Sequence, residues 1–386
     1  MKMKSLIGNY LPLAMNAMEK CSFPLSFLAY EGADIESWRT TTKAKVMELL
    51  AYQADECPLQ ASVDRSYVKD GLVVEHVSYE QPFGPRTEGI LLYPSEREGK
   101  LPAVVALHDH GGFKYFGKEK LVELDDEPEI ITEFKQAAYE GSSWATKLAK
   151  RGYVVFVPDV FLWGSRKLDA ESVTEEFVQP VLHAEPGSRA YIEAYNQFSG
   201  EHESMIAKTL FLAGTTWTGI MAYEDRRAVD YLLTRPEVDG DRIGCGGLSG
   251  GGLRTIFLAG LDDRIKCSVC IGFMSTNREV VAHRIQRHTW MMHVPHLSAY
   301  LDMPDIISLN GTGAVMVQYD IDDPLWTIEG QEESDRKLKG IYEKMGAGDH
   351  YRGLFYPGPH KFDNQMQEDA FQWFDQWLCN ANDTVL

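Results

Sequence analysis

The pentapeptide Gly247-Leu248-Ser249-Gly250-Gly251 constrains this chain more than any other stretch, because its flanks suit very few folds. Before it, Asp241-Arg242-Ile243-Gly244-Cys245-Gly246 is short and apolar enough for a buried strand. After it, residues 252–261 read as a helix of small and apolar side chains. A serine between glycines at a strand-to-helix turn can hold a strained backbone with its hydroxyl exposed, since neighbours without a Cβ let the turn close. The bland alternative is a plain glycine turn.

A serine hydroxyl is a weak nucleophile unless a base takes its proton, and that base needs an acid to orient it. In a strand–serine–helix arrangement the partners follow in the order serine, acid, histidine. Downstream, residues 313–319 read as a strand running into Asp320-Ile321-Asp322-Asp323-Pro324-Leu325-Trp326. Three aspartates compete there. Asp320 directly follows Tyr319 and belongs to the strand end. Asp322 and Asp323 are adjacent, so in an extended segment their side chains point apart. Asp323 precedes Pro324, which biases it to an extended, less mobile backbone; it is the expected acid, with Asp322 the runner-up. The chain has 11 histidines, and position singles out one. His360 follows a short strand, residues 352–356, in the loop Pro357-Gly358-Pro359-His360, just ahead of an amphipathic helix over 364–379. It is the expected base.

An oxyanion formed by attack of the serine needs two backbone N–H groups. One is expected from Gly250, the residue after the nucleophile, and the other from the loop after an earlier strand. Residues 101–107 form such a strand, followed by His108-Asp109-His110-Gly111-Gly112-Phe113. His110 and Gly111 are the leading second donors, and Gly112 stays open. His108 and His110 also have the spacing of zinc ligands, but no third ligand stands at a recognisable distance, so no metal is expected.

The string Thr234-Arg235-Pro236-Glu237-Val238-Asp239-Gly240-Asp241-Arg242-Ile243-Gly244, ahead of the serine, resembles the α/β-hydrolase superfamily. So does the helix-then-strand run Leu148-Ala149-Lys150-Arg151-Gly152-Tyr153-Val154-Val155-Phe156-Val157-Pro158-Asp159. Within the superfamily the resemblance is nearest to the esterase branch of dienelactone hydrolase-like and acetyl xylan esterase-like proteins, and Asp262-Asp263-Arg264-Ile265-Lys266 adds to it. It runs from about residue 74 to the C-terminus. It implies an α/β-hydrolase fold and a serine hydrolase that cleaves carboxylic esters through an acyl-enzyme, with Ser249, Asp323 and His360 as its triad and no cofactor. The resembling esterases place their acid at the aspartate of an Asp-Pro-Leu-like string. An amidase or peptidase with the same triad, and a catalytically silent binding protein, are the alternatives. Two departures stand out: Tyr319-Asp320 lies where relatives usually have a glycine near the turn, and Asp109 sits between two histidines.

Independently of that resemblance, two strands, residues 72–79 and 89–93, are followed by alternating helices and strands, which predicts a mostly parallel central sheet covered on both faces. Length and the lack of a Pro/Gly/Ser linker favour one catalytic domain, residues 66–386, over several. Cap-like insertions break the rhythm at about 114–140, 161–214 and 277–305. Residues 1–65 read as a helical extension, clearest over 37–51, that packs on the core or contacts another subunit, so a homo-oligomer stays open. Trp163, Tyr191, Tyr195 and Phe198 in the second insertion are pocket linings or, more ordinarily, a local core. The same choice applies to His283, His288, Trp290, Met291, Met292, His293 and His296 in the third.

The formal charge of -19 argues against nucleic acid and anionic membranes as partners, since both favour a basic surface; a small-molecule ester is the partner that the triad residues and the resemblance imply. The 6 cysteines fit a reducing compartment and so a cytoplasmic protein, with Cys245, Cys267 and Cys270 read as core thiols. Cys267 and Cys270, three apart on a strand, point to opposite faces and form no redox pair. Lys2 and Lys4 precede an apolar run that Asn9 and Pro12 interrupt, so no cleaved leader is expected.

Overall fold

The computed structural model describes residues 5–379 and is built around one nine-stranded sheet. In chain order the strands are β1 Ser62–Lys69, β2 Leu72–Tyr79, β3 Thr87–Pro94, β4 Leu101–Ala106, β5 Val154–Pro158, β6 Val238–Leu248, β7 Ile265–Ile271, β8 Ala314–Asp320 and β9 Tyr351–Tyr356. Their spatial order is β1-β2-β3-β5-β4-β6-β7-β8-β9. The pairings of β1, β2 and β3, including β3 with β5, are antiparallel. From β5 to β9 every pairing is parallel.

The helices are α1 Leu11–Glu19, α2 Ile35–Leu50, α3 Glu129–Tyr139, α4 Trp144–Lys150, α5 Glu175–Leu182, α6 Arg189–Leu212, α7 Trp217–Leu233, α8 Gly250–Leu261, the single turn α9 Asn277–Glu279, α10 Met303–Ile307, α11 Ile328–Lys344 and α12 Asn364–Leu378. They cover both faces of the sheet, because the parallel strands are apolar on both. Val105, Cys245 and Val317 face a core shared with α2, α7, α8 and α11. Val104, Val269 and Met316 face the other, with Trp144 of α4 and Phe374 of α12. Cys267 and Cys270 fall in opposite cores, as their spacing predicts, and form no disulfide with each other. This is the α/β-hydrolase fold. No helix of the described residues is long and apolar enough to cross a membrane.

The N-terminal segment differs from a continuous helical extension. It has two helices separated by turns, and α2 packs into the core through Trp38, Val46 and Leu50. Residues 62–69, at the end of the expected extension, form edge strand β1. Its first five residues are exposed, so no apolar face marks it as a strand in the sequence.

After β4 the chain turns to β5 on one side, and β6 later pairs with β4 on the other. Loops leaving the carboxyl ends of the strands beside such a reversal surround a crevice, where open α/β sheets bind ligands.

Candidate active site

Ser249 sits at the end of β6 with φ 60° and ψ -119°, a conformation that costs energy for any residue with a side chain. Tight neighbours hold it there. A Cβ on Gly247 or Gly251 would lie 2.1 Å from the Leu107 carbonyl oxygen, so β6, the start of α8 and the end of β4 can meet only through glycine. The Ser249 amide donates to the Ile271 carbonyl at 2.9 Å, tying the turn to β7.

The acid loop follows β8. Asp323 is buried; its Oδ2 accepts from His360 Nδ1 at 2.6 Å, and its Oδ1 accepts from the Leu325 amide at 2.8 Å. Asp322 points the other way, exposed, and accepts from the Gly358 amide at 3.0 Å. Asp320 closes the strand: its Oδ2 accepts from the Lys361 amide at 3.1 Å, while its buried Oδ1 has no hydrogen-bond partner. Burial pushes Asp320 up to about 7. With Asp323 bonded at Nδ1, the other ring nitrogen of His360, Nε2, is buried without a protein partner. Burial alone would lower the His360 pKa, but the hydrogen bond and charge of Asp323, helped by Asp320 and Asp109, hold it above the ordinary histidine value.

Ser249 and His360 share the walls of two openings. A cleft of about 450 Å³ is bounded by the loop after β4, by Glu203 of α6 and by Arg287, His288 and Thr289. A smaller recess of about 180 Å³ reaches the same two residues past Asp109, Phe134 and Leu248.

The loop after β4 approaches the serine closely. A Cβ on Gly250 would lie 2.7 Å from the His110 amide nitrogen. Among the described residues, the amide hydrogens of His110 and Gly111 have no acceptor, whereas that of Gly112 is spent on His110 Nδ1 at 3.0 Å. Gly111 and Gly112 both adopt positive φ, 56° and 63°, which bends this loop over the elbow.

Several groups that support this loop carry no local signature in the sequence. Lys120 is fully buried and donates to the Asp109 carbonyl at 3.0 Å and to Asp109 Oδ1 at 3.2 Å. Tyr139 donates to the other Asp109 oxygen. From below, Arg254 pairs with Asp225 at 2.6 Å and reaches the His108 carbonyl at 3.4 Å. The Asp109 that interrupts the two histidines is thus an anchor. Of the flanking rings, His110 is bonded to Glu203 through Nε2 at 2.6 Å, while His108 bonds the Asp109 carbonyl through Nδ1 at 3.0 Å and its buried Nε2 has no hydrogen-bond partner among the described residues.

The one group of metal-capable donors among the described residues is Asp320, Asp323 and His360, within 4.8 Å of one another. The Asp323–His360 hydrogen bond already accounts for two of the three.

The aromatic residues of the second insertion do not reach the cleft. Tyr195 and Phe198 form a local core with Ala170, Val178 and Val181, and Trp163 is buried against Trp217. From the third insertion, His288 lies tilted against Trp326, ring centroids 4.3 Å apart, and lines the cleft, while Met292, His293 and His296 line a separate apolar cavity.

The dienelactone hydrolase family model matches residues 140–294, from the segment before α4 past β7 into the third insertion. The chain is 26% identical over 343 residues to "Putative hydrolase YtaP" of Bacillus subtilis (strain 168), covering 88% of this chain and 100% of that protein. Among solved structures it resembles a "putative acetyl xylan esterase" from Bacteroides fragilis, with TM-score 0.68 and 16% identity over 92% of this chain and 85% of that one. It also resembles a glucuronoyl esterase from Solibacter usitatus, with TM-score 0.60 and 14% identity over 88% of this chain and 93% of that one.

Proposed function

We propose that this α/β-hydrolase-fold chain, with its dienelactone hydrolase family segment, is a serine hydrolase that cleaves small-molecule carboxylic esters through an acyl-enzyme. The observation that carries the reading is the pairing of Asp323 with His360 Nδ1, which leaves Nε2 unpartnered in the cleft it shares with the strained Ser249. His360 Nε2 takes the Ser249 proton as Oγ attacks the ester carbonyl. Asp323 holds the imidazole with its proton on Nδ1 and stabilises the cation that forms. The carbonyl oxygen, now negative, is met by the amides of Gly250 and His110, with Gly111 beside them. His360 then protonates the departing alcohol. A water, deprotonated by the same nitrogen, attacks the acyl-serine; the acid leaves, Ser249 recovers its proton and the cycle closes.

No metal or cofactor enters these steps. The test is Ser249→Ala, which should lower turnover by on the order of 10⁴ to 10⁶ while the protein stays folded. A tenth of wild-type ester hydrolysis surviving in that variant would sink the triad reading. p-Nitrophenyl esters of rising chain length, run beside acetylated sugars and aryl amides, separate esterase from amidase. A fluorophosphonate, which labels only an activated serine, separates either from a silent binding protein.

A further inference from the structure

Glu203 lies on α6, in an insertion remote in sequence from every member of the triad, yet it lines the cleft at Ser249. Its side chain is 10% exposed, and both of its oxygens are fully engaged. Oε1 accepts from His110 Nε2 at 2.6 Å and pairs with the Lys114 ammonium at 2.7 Å. Oε2 accepts from Thr289 Oγ at 2.7 Å and from the Trp290 amide at 3.4 Å. One carboxylate therefore joins three separate pieces of the cleft: the loop after β4, the helix of the second insertion and the wall of the third.

The grip on His110 is complete. Its Nδ1 accepts from the Gly112 amide, so the ring proton sits on Nε2 and points at Glu203. Its carbonyl accepts from Trp163 Nε1 at 3.2 Å and from Lys120 at 3.4 Å. With ring and carbonyl both fixed, the amide hydrogen beside Gly250 is the one hydrogen-bonding group of His110 left for a substrate. Lys114 balances the charge. It is 1% exposed, sits over the rings of Trp163 and Trp217 at 5.0 and 5.1 Å, and has Glu203 as its carboxylate partner. Burial alone would raise the Glu203 pKa, but His110 and Lys114 hold it well below the usual carboxylate range, so it carries no proton to give.

We infer that Glu203 is the positioning residue of the oxyanion site: it locks the His110 ring and so aims the His110 amide at the oxygen that becomes negative, while bracing the Thr289 wall against the same loop. This rests on the triad reading above. Glu203 acts through His110 and does not touch the reacting atoms, since all its accepting positions are taken by the protein. Preorganised donors matter more in the transition state than in the bound ester. Loss of Glu203 should therefore appear in kcat and not in KM.

The experiment counts active sites with a fluorophosphonate and measures kcat per labelled site for wild type, Glu203→Ala, Glu203→Gln and Glu203→Gln with Lys114→Met. Glu203→Ala should lose on the order of 10²-fold in kcat per site, the scale of one oxyanion donor, with KM within a few-fold. Glu203→Gln should fall between, because its amide can still accept from His110 but leaves Lys114 without a counter-charge. Removing that stranded charge in the double variant should recover activity relative to Glu203→Gln. If the whole loss appears as fewer labelled sites or a lower Tm, with kcat per site unchanged, Glu203 is packing alone and the inference is overturned. Should Glu203→Ala not fold, Glu203→Gln carries the test, and a wild-type kcat per site in that variant overturns the inference equally. A wild-type protein that takes no label overturns the triad reading itself, and this inference with it.

Discussion

The two sides of the cleft at Ser249 are held by different physics. On the side of the proposed triad, backbone geometry does the placing: glycines at 247 and 251 leave no room for a Cβ, and Asp323 and Pro324 follow β8 closely. On the other side, the loop after β4 is held by buried side chains, Lys120 on Asp109 and Lys114 on Glu203, whose partners come from other segments of the chain. A backbone-determined site tolerates change in its surroundings but not at its few fixed positions. A site held by buried charges is vulnerable at every partner, because removing one strands the other.

The largest effect expected tests the backbone side. Asp323→Asn should cost on the order of 10⁴ in turnover through loss of the correct imidazole tautomer. Asp322→Asn, an exposed residue turned towards Gly358, should cost less than about tenfold, since it can affect the site only through a surface loop. Both are measured on one activated ester. The reverse ranking would transfer the acid role to Asp322 and break the account of how the loop is aimed.

The next effect tests the charged side, and is read as stability. Lys120→Met leaves Asp109 buried with Tyr139 as its remaining side-chain partner. Breaking one half of a buried pair costs about 3–5 kcal/mol. Lys120→Met combined with Asp109→Asn should cost clearly less, because no charge is then stranded. Urea unfolding of the three proteins decides it, and equal losses in the single and double variants would mean that the pair contributes no specific anchoring.

The same contrast explains what was legible in the sequence. Ser249, Asp323 and His360 stand out because each follows a strand, in a fixed order, with glycine or proline punctuation beside it; the structure brings these three together. Opposite pointing of neighbouring residues separates Asp322 from Asp323 before any coordinates are known. Glu203 carries no such signal. On α6 it is one acid among several charged residues of a mixed helix, and its partners His110 and Lys114 lie about ninety residues away. Lys114 and Lys120, in the insertion after β4, are buried because each meets a carboxylate outside it, Glu203 of α6 and Asp109 of the preceding loop. Aromatic residues of the second insertion look like a pocket by composition, yet Tyr195 and Phe198 close a local core under α5 and α6. Local backbone chemistry is written locally; a buried ion pair is written in two places at once.

The smallest expected effect sharpens the comparison inside the triad side itself, where one charge is not fixed by backbone geometry alone. In the proposed mechanism His360 must be neutral to accept a proton, and its pKa is held above the ordinary histidine value of about 6.5. The sign follows directly: kcat/KM should be flat at higher pH and fall as pH drops through a limb above about 6.5. Asp320 contributes to that elevation through its negative charge, and burial brings its own pKa up to about 7. Asp320 and His360 are close enough to interact, so a proton taken up by one disfavours a proton on the other. The limb belongs to the pair and not to His360 alone. Asp320→Asn removes the charge but keeps an oxygen for the Lys361 amide. Its acid limb should move to lower pH and take the shape of a single titration, with little change in the plateau, because Asp323 still orients the ring. A limb that neither moves nor changes shape would show that His360 does not feel Asp320, leaving Asp323 as its effective electrostatic partner.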